Sequence, residues 1–292
     1  MSRCSHRSTL CIVSKEPNGV SHSRALCVTV PLLSAVSNAG AADATYSDQV
    51  PDPSFDETRF GKEPSQRNWS LIVGAGAGYE PKYEGSGDYE VTPLPVVLFT
   101  YGDWLEIDPL GVTVTPFEHN GFSVSAKVGY EMGRDEGDHD RLKGLGDIDF
   151  AARVGGKLAY QWQGLEIYAA VDQTIDGSES LIGTFGVEYM APITERLFLG
   201  AEAKATGAND KHMEAYFGVT SKQSAASGLP EYKAEAGLKR IDVSASAMYM
   251  LTESWLVRGE AGVGFLTGDA ADSPIVEKKV QSSVSIFVGY KF

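Results

Sequence analysis

The chain has 292 residues, with 25 Lys and Arg against 39 Asp and Glu, for a formal net charge of −14. That acidic balance excludes nucleic acid as the expected partner, because phosphate binding needs a basic surface. The cysteines Cys4, Cys11 and Cys27 all fall within the first 41 residues, so the chain beyond them can build neither a disulfide framework nor a cysteine metal site.

The first element is an export signal. Arg24 precedes an apolar stretch from Ala25 to Val36, and Ala39 and Ala41 supply the small residues a signal peptidase reads. Cleavage is expected after Ala41, with Ala44 as second choice. The stretch is too short to span ~30 Å of hydrocarbon, so residues 1–41 are a signal peptide rather than a membrane helix. Residues 1–19 are long and polar for a leader, and a second reading starts translation at Val20. Cleavage would remove Arg3, Arg7, Lys15 and Arg24 with Glu16, which deepens the net charge to about −17. Beyond residue 41 no apolar run reaches ~18 residues, which excludes helical membrane spans but not β-strands that are apolar on one face only.

Residues 42–67 are polar, contain Pro51, Pro53 and Pro64, and lack periodicity; they read as a flexible periplasmic tail. Alternation begins at Trp69, with Leu71, Val73, Ala75, Ala77 and Tyr79 on one face. Phe122, Val124, Ala126, Val128, Tyr130 and Met132 repeat it. The longest series is Ile148, Phe150, Ala152, Val154, Gly156, Leu158, Tyr160 and Trp162, against Asp147, Asp149, Arg153, Lys157 and Gln161. It predicts a strand of more than about 15 residues, against the ~5–6 usual in globular proteins.

Further strands are predicted over 164–174, 181–190, 196–206, 213–220, 241–251 and 254–266. The connections at 163–164, 191–196 and 252–254 are short, whereas 80–90, 134–146 and 268–280 are long and acidic. Short periplasmic turns and long outer loops are the arrangement of an outer-membrane barrel. Keeping inside and outside consistent around the ring calls for short strands near 103–109 and 231–239, giving 14; one bent strand over 91–116 would make it 12. The expected fold class is therefore all-β, a transmembrane antiparallel β-barrel of 12–14 strands over residues 68–292. A soluble sandwich would need tight turns every 8–12 residues and shorter strands.

The last strand has Val284, Ile286, Val288, Tyr290 and Phe292 on one face and Ser283, Ser285, Gly289 and Lys291 on the other, with Phe287 the apolar exception. Phe292, Tyr290, Val288 and Ile286 resemble the terminal signal that outer-membrane assembly machinery recognises, which makes that machinery and outer-membrane lipid expected partners.

Motifs with chemical potential are few. Gly74-Ala-Gly-Ala-Gly78 has the wrong spacing for either nucleotide motif and sits inside an alternating strand, where glycine relieves curvature. Asp135-Glu-Gly-Asp-His-Asp140 offers hard oxygen ligands without the spacing of a calcium loop, and reads as a solvated outer loop. Ser178 or Ser180 with His139 and an Asp is the one catalytic constellation on offer. It is weak, because loops commonly carry such residues. No enzyme activity, metal or cofactor is expected.

Several stretches resemble the MipA/OmpV family of outer-membrane proteins. They are Tyr83-Glu-Gly-Ser-Gly-Asp-Tyr89, Pro93-Leu-Pro95, Gly133-Arg-Asp-Glu136, Leu142-Lys-Gly-Leu-Gly-Asp-Ile-Asp149, Tyr216-Phe-Gly-Val219 and Gly268-Asp-Ala-Ala-Asp-Ser-Pro-Ile275. They occur in the family's order from about Trp69 to Phe292. The resemblance implies a Gram-negative outer-membrane barrel and a scaffold role, linking a lytic murein transglycosylase to a bifunctional penicillin-binding protein. It supplies no catalytic residues. The competing expectation is a small-solute channel or a surface-exposed adhesin-like barrel.

Overall fold

The computed structural model describes residues 68–292; the expected signal peptide with Ala39 and Ala41, and the expected tail of residues 42–67, lie outside the described residues. Twelve antiparallel strands close on themselves in sequence order, β12 pairing with β1. They are β1 (Trp69–Pro81), β2 (Tyr89–Tyr101), β3 (Leu105–Asp108), β4 (Gly111–His119), β5 (Phe122–Glu131), β6 (Ala151–Trp162), β7 (Leu165–Ile175), β8 (Leu181–Pro192), β9 (Leu197–Ala208), β10 (Gly237–Met250), β11 (Trp255–Leu266) and β12 (Val280–Lys291).

Alternation sets which face meets lipid. Val73, Val128, Val154, Leu158, Val284, Ile286 and Val288 are all exposed on the outside, while Lys127, Arg153, Lys157 and Phe287 turn inward. Exposed aromatics crowd the end where the short turns lie: Trp69, Tyr101, Trp104, Phe122, Tyr160, Trp162, Tyr189, Trp255 and Phe292. An apolar band closed by an aromatic girdle is what a bilayer interface selects. Two of the turns, Asn120-Gly121 and Gln163-Gly164, have positive φ at both residues, the conformation that reverses a twisted hairpin in two residues.

The strand count is reached differently from either sequence alternative. The short strand expected near 103–109 is present as β3. Residues 213–220 form no wall strand, and of 231–239 only 237–239 lie in the wall, as the start of β10 rather than as a strand of their own. Instead 209–236 is one long connection carrying helices α1 (Asp210–Phe217) and α2 (Ser221–Ser227), with a single bridge between Val219 and Tyr232. Asn209 caps α1 by accepting a hydrogen bond from the His212 N–H at 3.0 Å. The buried residues His212, Met213, Tyr216 and Phe217 follow helical spacing. The strand expected from 147 starts at Ala151; Ile148 makes only an isolated bridge to Arg134, inside the connection between β5 and β6.

The glycines of β1 lie in the seam that closes the ring. A Cβ on Gly74 or Gly76 would run into the β12 backbone, and at Gly76 into the Phe287 side chain. The missing side chain at Gly76 is what makes room for its inward-facing cross-strand partner Phe287.

Candidate functional site

The interior is filled in layers. Toward the turn end, Val96, Leu98, Phe198, Met248, Leu256 and Phe287 form an apolar cluster. Beside it, with Arg258 directly opposite Met248 and Phe287, come ion pairs and hydrogen bonds: Lys157 Nζ to Glu166 at 2.6 Å, Arg258 to Glu260 at 3.1 Å, and the Tyr168 hydroxyl donating to Glu202 at 2.6 Å. The inward charges of β5 and β6 are paired as well. Arg153 meets Glu131 at 3.6 Å, while Lys127 goes to Asp108 and Lys157 to Glu166.

Toward the loop end lies a fully buried polar chain. Lys239 Nζ donates to His212 Nε2 at 3.2 Å and to Glu84 at 3.2 Å. Lysine has no acceptor, so Nε2 is the accepting nitrogen and Nδ1 carries the proton. Nδ1 then donates to Ser180 Oγ at 2.8 Å. Ser180 Oγ lies 2.5 Å from Ser178 Oγ, and Ser178 donates to Glu131 at 3.0 Å. Tyr216 donates to the same Glu131 oxygen at 2.5 Å. Burial first, and then the charges of Lys239 and Arg153, push the His212 pKa well below its ordinary value.

Local backbone irregularity makes this possible. The β9–β10 register shifts between Leu238 and Arg240. A bulge adds a residue, so both Lys239 and Arg240 turn inside where strict alternation would send one outward. Arg240 bonds Asp242 at 2.6 Å and Glu84 at 3.4 Å. Glu84 comes from the β1–β2 connection, which is fixed to β12 by Gln281: its side chain accepts from Gly85 N–H and donates to Ser86 C=O.

An apolar lid covers the chain. Met213, Tyr216 and Phe217 of α1 pack with Ile182, Leu266, Ala270 and Ala271. Tyr83, Leu142, Leu145, Val219, Leu229 and Ile275 form a second cluster from four connections. Ser273 donates to Phe217 C=O at 2.6 Å, and Arg134 to Tyr216 C=O at 3.0 Å.

The catalytic constellation from the sequence is rearranged. His139 lies with Asp88, Nε2 to Oδ2 at 3.0 Å, and beside the Tyr83 ring, while Ser180 meets His212 instead, with Ser178 reaching it only through Ser180. Their contact does not activate a nucleophile. Nδ1 is a donor to Ser180, whereas a general base must accept the serine proton, and Ser180 has no exposed surface. The acidic 135–140 segment is spent on its own turns: Asp135 accepts from Gly137 N–H at 2.6 Å, and Glu136 accepts from Gly144 and Gly146 N–H at 2.9 Å. Among the described residues no group of His, Cys, Asp and Glu is arranged to hold a metal. On β12, Ile286, Val288 and Phe292 are exposed to the lipid side, and Tyr290 stacks edge-on between Trp255 and Phe292.

The family described as MltA-interacting protein MipA matches residues 73–292, nearly the whole barrel. The chain belongs to this family. It is 28% identical to the MltA-interacting protein of Escherichia coli (strain K12), over 75% of this chain and 89% of that protein. It is 26% identical to YiaT of the same strain, named as an outer membrane protein, over 76% of this chain and 91% of YiaT. Among solved structures it is similar to the NanC porin at 12% identity and TM-score 0.44, covering 76% of this chain and 100% of that one. The protein is an outer-membrane β-barrel of this family, as the resemblance in its loops implied. The residues that sequence reasoning missed are His212, Lys239, Glu84 and Tyr216, and the Asn209-Asp210 helix start was the signal that could have placed the first.

Proposed function

We propose that the protein is a scaffold that holds a lytic murein transglycosylase, and with it a penicillin-binding protein, at the inner surface of the outer membrane. The observation that carries the reading is membership, over residues 73–292, of a family described as MltA-interacting. The layered interior supports it against the channel reading: an apolar cluster, paired charges and a buried lid occupy the path a solute would take. Adhesion would use the loop end, whereas a murein enzyme meets the turn end. The surfaces available there are the turns at 191–196 and 252–254 and the tail of residues 42–67. The Pro-rich tail lacks a core pattern and suits binding by folding onto a partner.

The experiment is co-purification from detergent-solubilised outer membrane with a tagged protein, with and without residues 45–66. A murein transglycosylase recovered by the intact protein and depleted by the deletion is expected, with the barrel still heat-modifiable. Steady single-channel conductance in planar bilayers, with no murein enzyme recovered, would replace the scaffold by the channel.

A further inference from the structure

Among the described residues, β2 has a partner along one edge only for most of its length. It pairs with β1 from Tyr89 to Tyr101, but with β3 only through Phe99, Thr100 and Tyr101. The β3–β4 hairpin turns back at Pro109 and Leu110, so the wall beside β2 stops far short of the loop end. On the other side β5 continues to Glu131, past its last pair with β4 at Gly129. Above, the β5–β6 connection reaches across to the β1–β2 connection through His139 and Asp88. A notch therefore lies between β2 and β5, in the half of the wall nearest the long loops, which in an outer-membrane barrel is the outer leaflet.

The hydrogen-bonding sense of the open edge follows from the ladder. At its two ends Lys82 N–H donates to Asp88 C=O and Gly102 N–H donates to Asn68 C=O. Antiparallel pairs alternate in hydrogen bonding, so even-numbered residues of β2 face β1. Tyr89, Val91, Pro93, Pro95 and Val97 turn their backbone groups toward the notch. Two of these five are prolines. They cost the β1 ladder nothing, they remove two donors from the open edge, and they block addition of another strand. Donors left unpaired in hydrocarbon are costly, and a row of acceptors with few donors does not template a β-strand.

Around the two prolines, from Pro93 to Val97, the segment is apolar on both faces. Val91 and Val97 are exposed outward and Leu94 and Val96 are buried inward, whereas other strands carry Lys157, Glu202 or Ser244 inside. At the far side the Tyr130 hydroxyl donates to Pro109 C=O at the hairpin tip at 2.6 Å, and Phe150 stacks on the Tyr130 ring. We propose that the notch receives an acyl chain of an outer-leaflet lipid, which enters the plane of the wall between β2 and β5. The carbonyls of Pro93 and Pro95 accept from a hydroxyl or amide near its headgroup end. This lipid site is independent of the scaffold reading and stands or falls separately.

The test uses the full chain in native outer membrane, with a benzophenone amino acid at one position. Thr92 faces inward behind the notch; Glu90 is the alternative should the Thr92 variant fail to become heat-modifiable. Ser244 faces inward behind a strand paired on both edges, and Val284 faces lipid. After irradiation, lipid adducts at Thr92 are expected near the yield at Val284 and roughly tenfold above Ser244, since an intact wall separates lumen from lipid. A yield at Thr92 no higher than at Ser244 would overturn the proposal. So would a protein–protein adduct there, which would mean that a second copy covers the edge.

Discussion

His212 and Lys239 face each other at 3.2 Å in a site where neither reaches solvent, with the ammonium donating to Nε2. A second proton on this imidazole would put two cations in contact. The groups around the ring are Tyr216 on its own helix, Lys239 and Arg240 on β10, Ser178 and Ser180 before β8, Arg153 on β6, Glu131 on β5 and Glu84 before β2. The folded pKa lies well below 6.5, so on acidification the unfolded lid binds the proton first. Stability from this site is fully present above about 6.5 and is lost as pH falls below that value. Hydrogen exchange over residues 209–217, corrected for intrinsic rate, is expected to speed up between pH 7 and 5, and His212→Gln is expected to flatten that dependence. Equal pH dependence in both proteins would refute the assignment.

Glu84 offers a sharper energetic test. It is the shared carboxylate of Lys239 and Arg240, and all three side chains are about 3% exposed. Glu84→Gln leaves two buried cations short of a countercharge, and removing one partner of such a pair costs about 3–5 kcal/mol. Arg240 keeps Asp242, so most of the loss falls on Lys239. Glu84→Gln combined with Lys239→Met is expected to be less destabilised than Glu84→Gln alone in urea unfolding. An additive double variant would mean the pair is not coupled.

Much of this architecture was legible in the sequence because a barrel wall is local: a residue's face follows from its neighbours two positions away. The failures have specific causes. Met213, Ala215, Phe217 and Val219 alternate, yet His212, Met213, Tyr216 and Phe217 are the buried set. Over so short a span a period of 2 and a period of 3.6 both find apolar residues. The polar chain could not be read because its partners are remote, with Lys239 and Glu84 155 positions apart and Tyr216 and Glu131 85 apart. Lys239 also points inward only through a bulge, which breaks the alternation on which the faces were assigned. On β12 the same alternation held for every residue, including the exception, because Phe287 found space over Gly76.

Strand β6 tests the assigned faces. Val154 is exposed outward, and an arginine there should cost about 2–4 kcal/mol near the bilayer midplane. From sequence alone a lumen change such as Arg153→Val should be cheaper. The structure alters that comparison, because Arg153 pairs with Glu131, whose side chain is 1% exposed. Arg153→Val is therefore expected to be clearly destabilising, and Glu131→Gln in the same chain to recover part of the loss, since a neutral amide needs no cation. Val154→Arg is expected to gain nothing from Glu131→Gln. Refolding titrations of the four variants separate a lipid-facing penalty from a lumen charge penalty.

The last prediction concerns closure and assembly. Phe292 N–H donates to Leu71 C=O at 3.0 Å, beyond the last paired residue of β12, and its ring meets Tyr290 edge-on, which in turn meets Trp255. Deleting Phe292 removes one hydrogen bond across the β1–β12 seam and the end of an aromatic row. A net hydrogen bond is worth ~1 kcal/mol and an aromatic pair ~1 kcal/mol, too little to unfold a twelve-strand barrel by itself. If Ile286, Val288, Tyr290 and Phe292 act as an assembly signal, the deletion should lower the amount of heat-modifiable barrel in the outer membrane far more than that loss explains, with export to the periplasm unchanged. Phe292→Tyr, which keeps the ring and the backbone bond, should restore assembly, and Phe292→Ala, which keeps only the bond, should not. Purified protein refolded in detergent supplies the control: there the deletion should cost no more than about 2 kcal/mol. Equal losses in cells and in detergent would make Phe292 a structural residue of the seam and remove the recognition role.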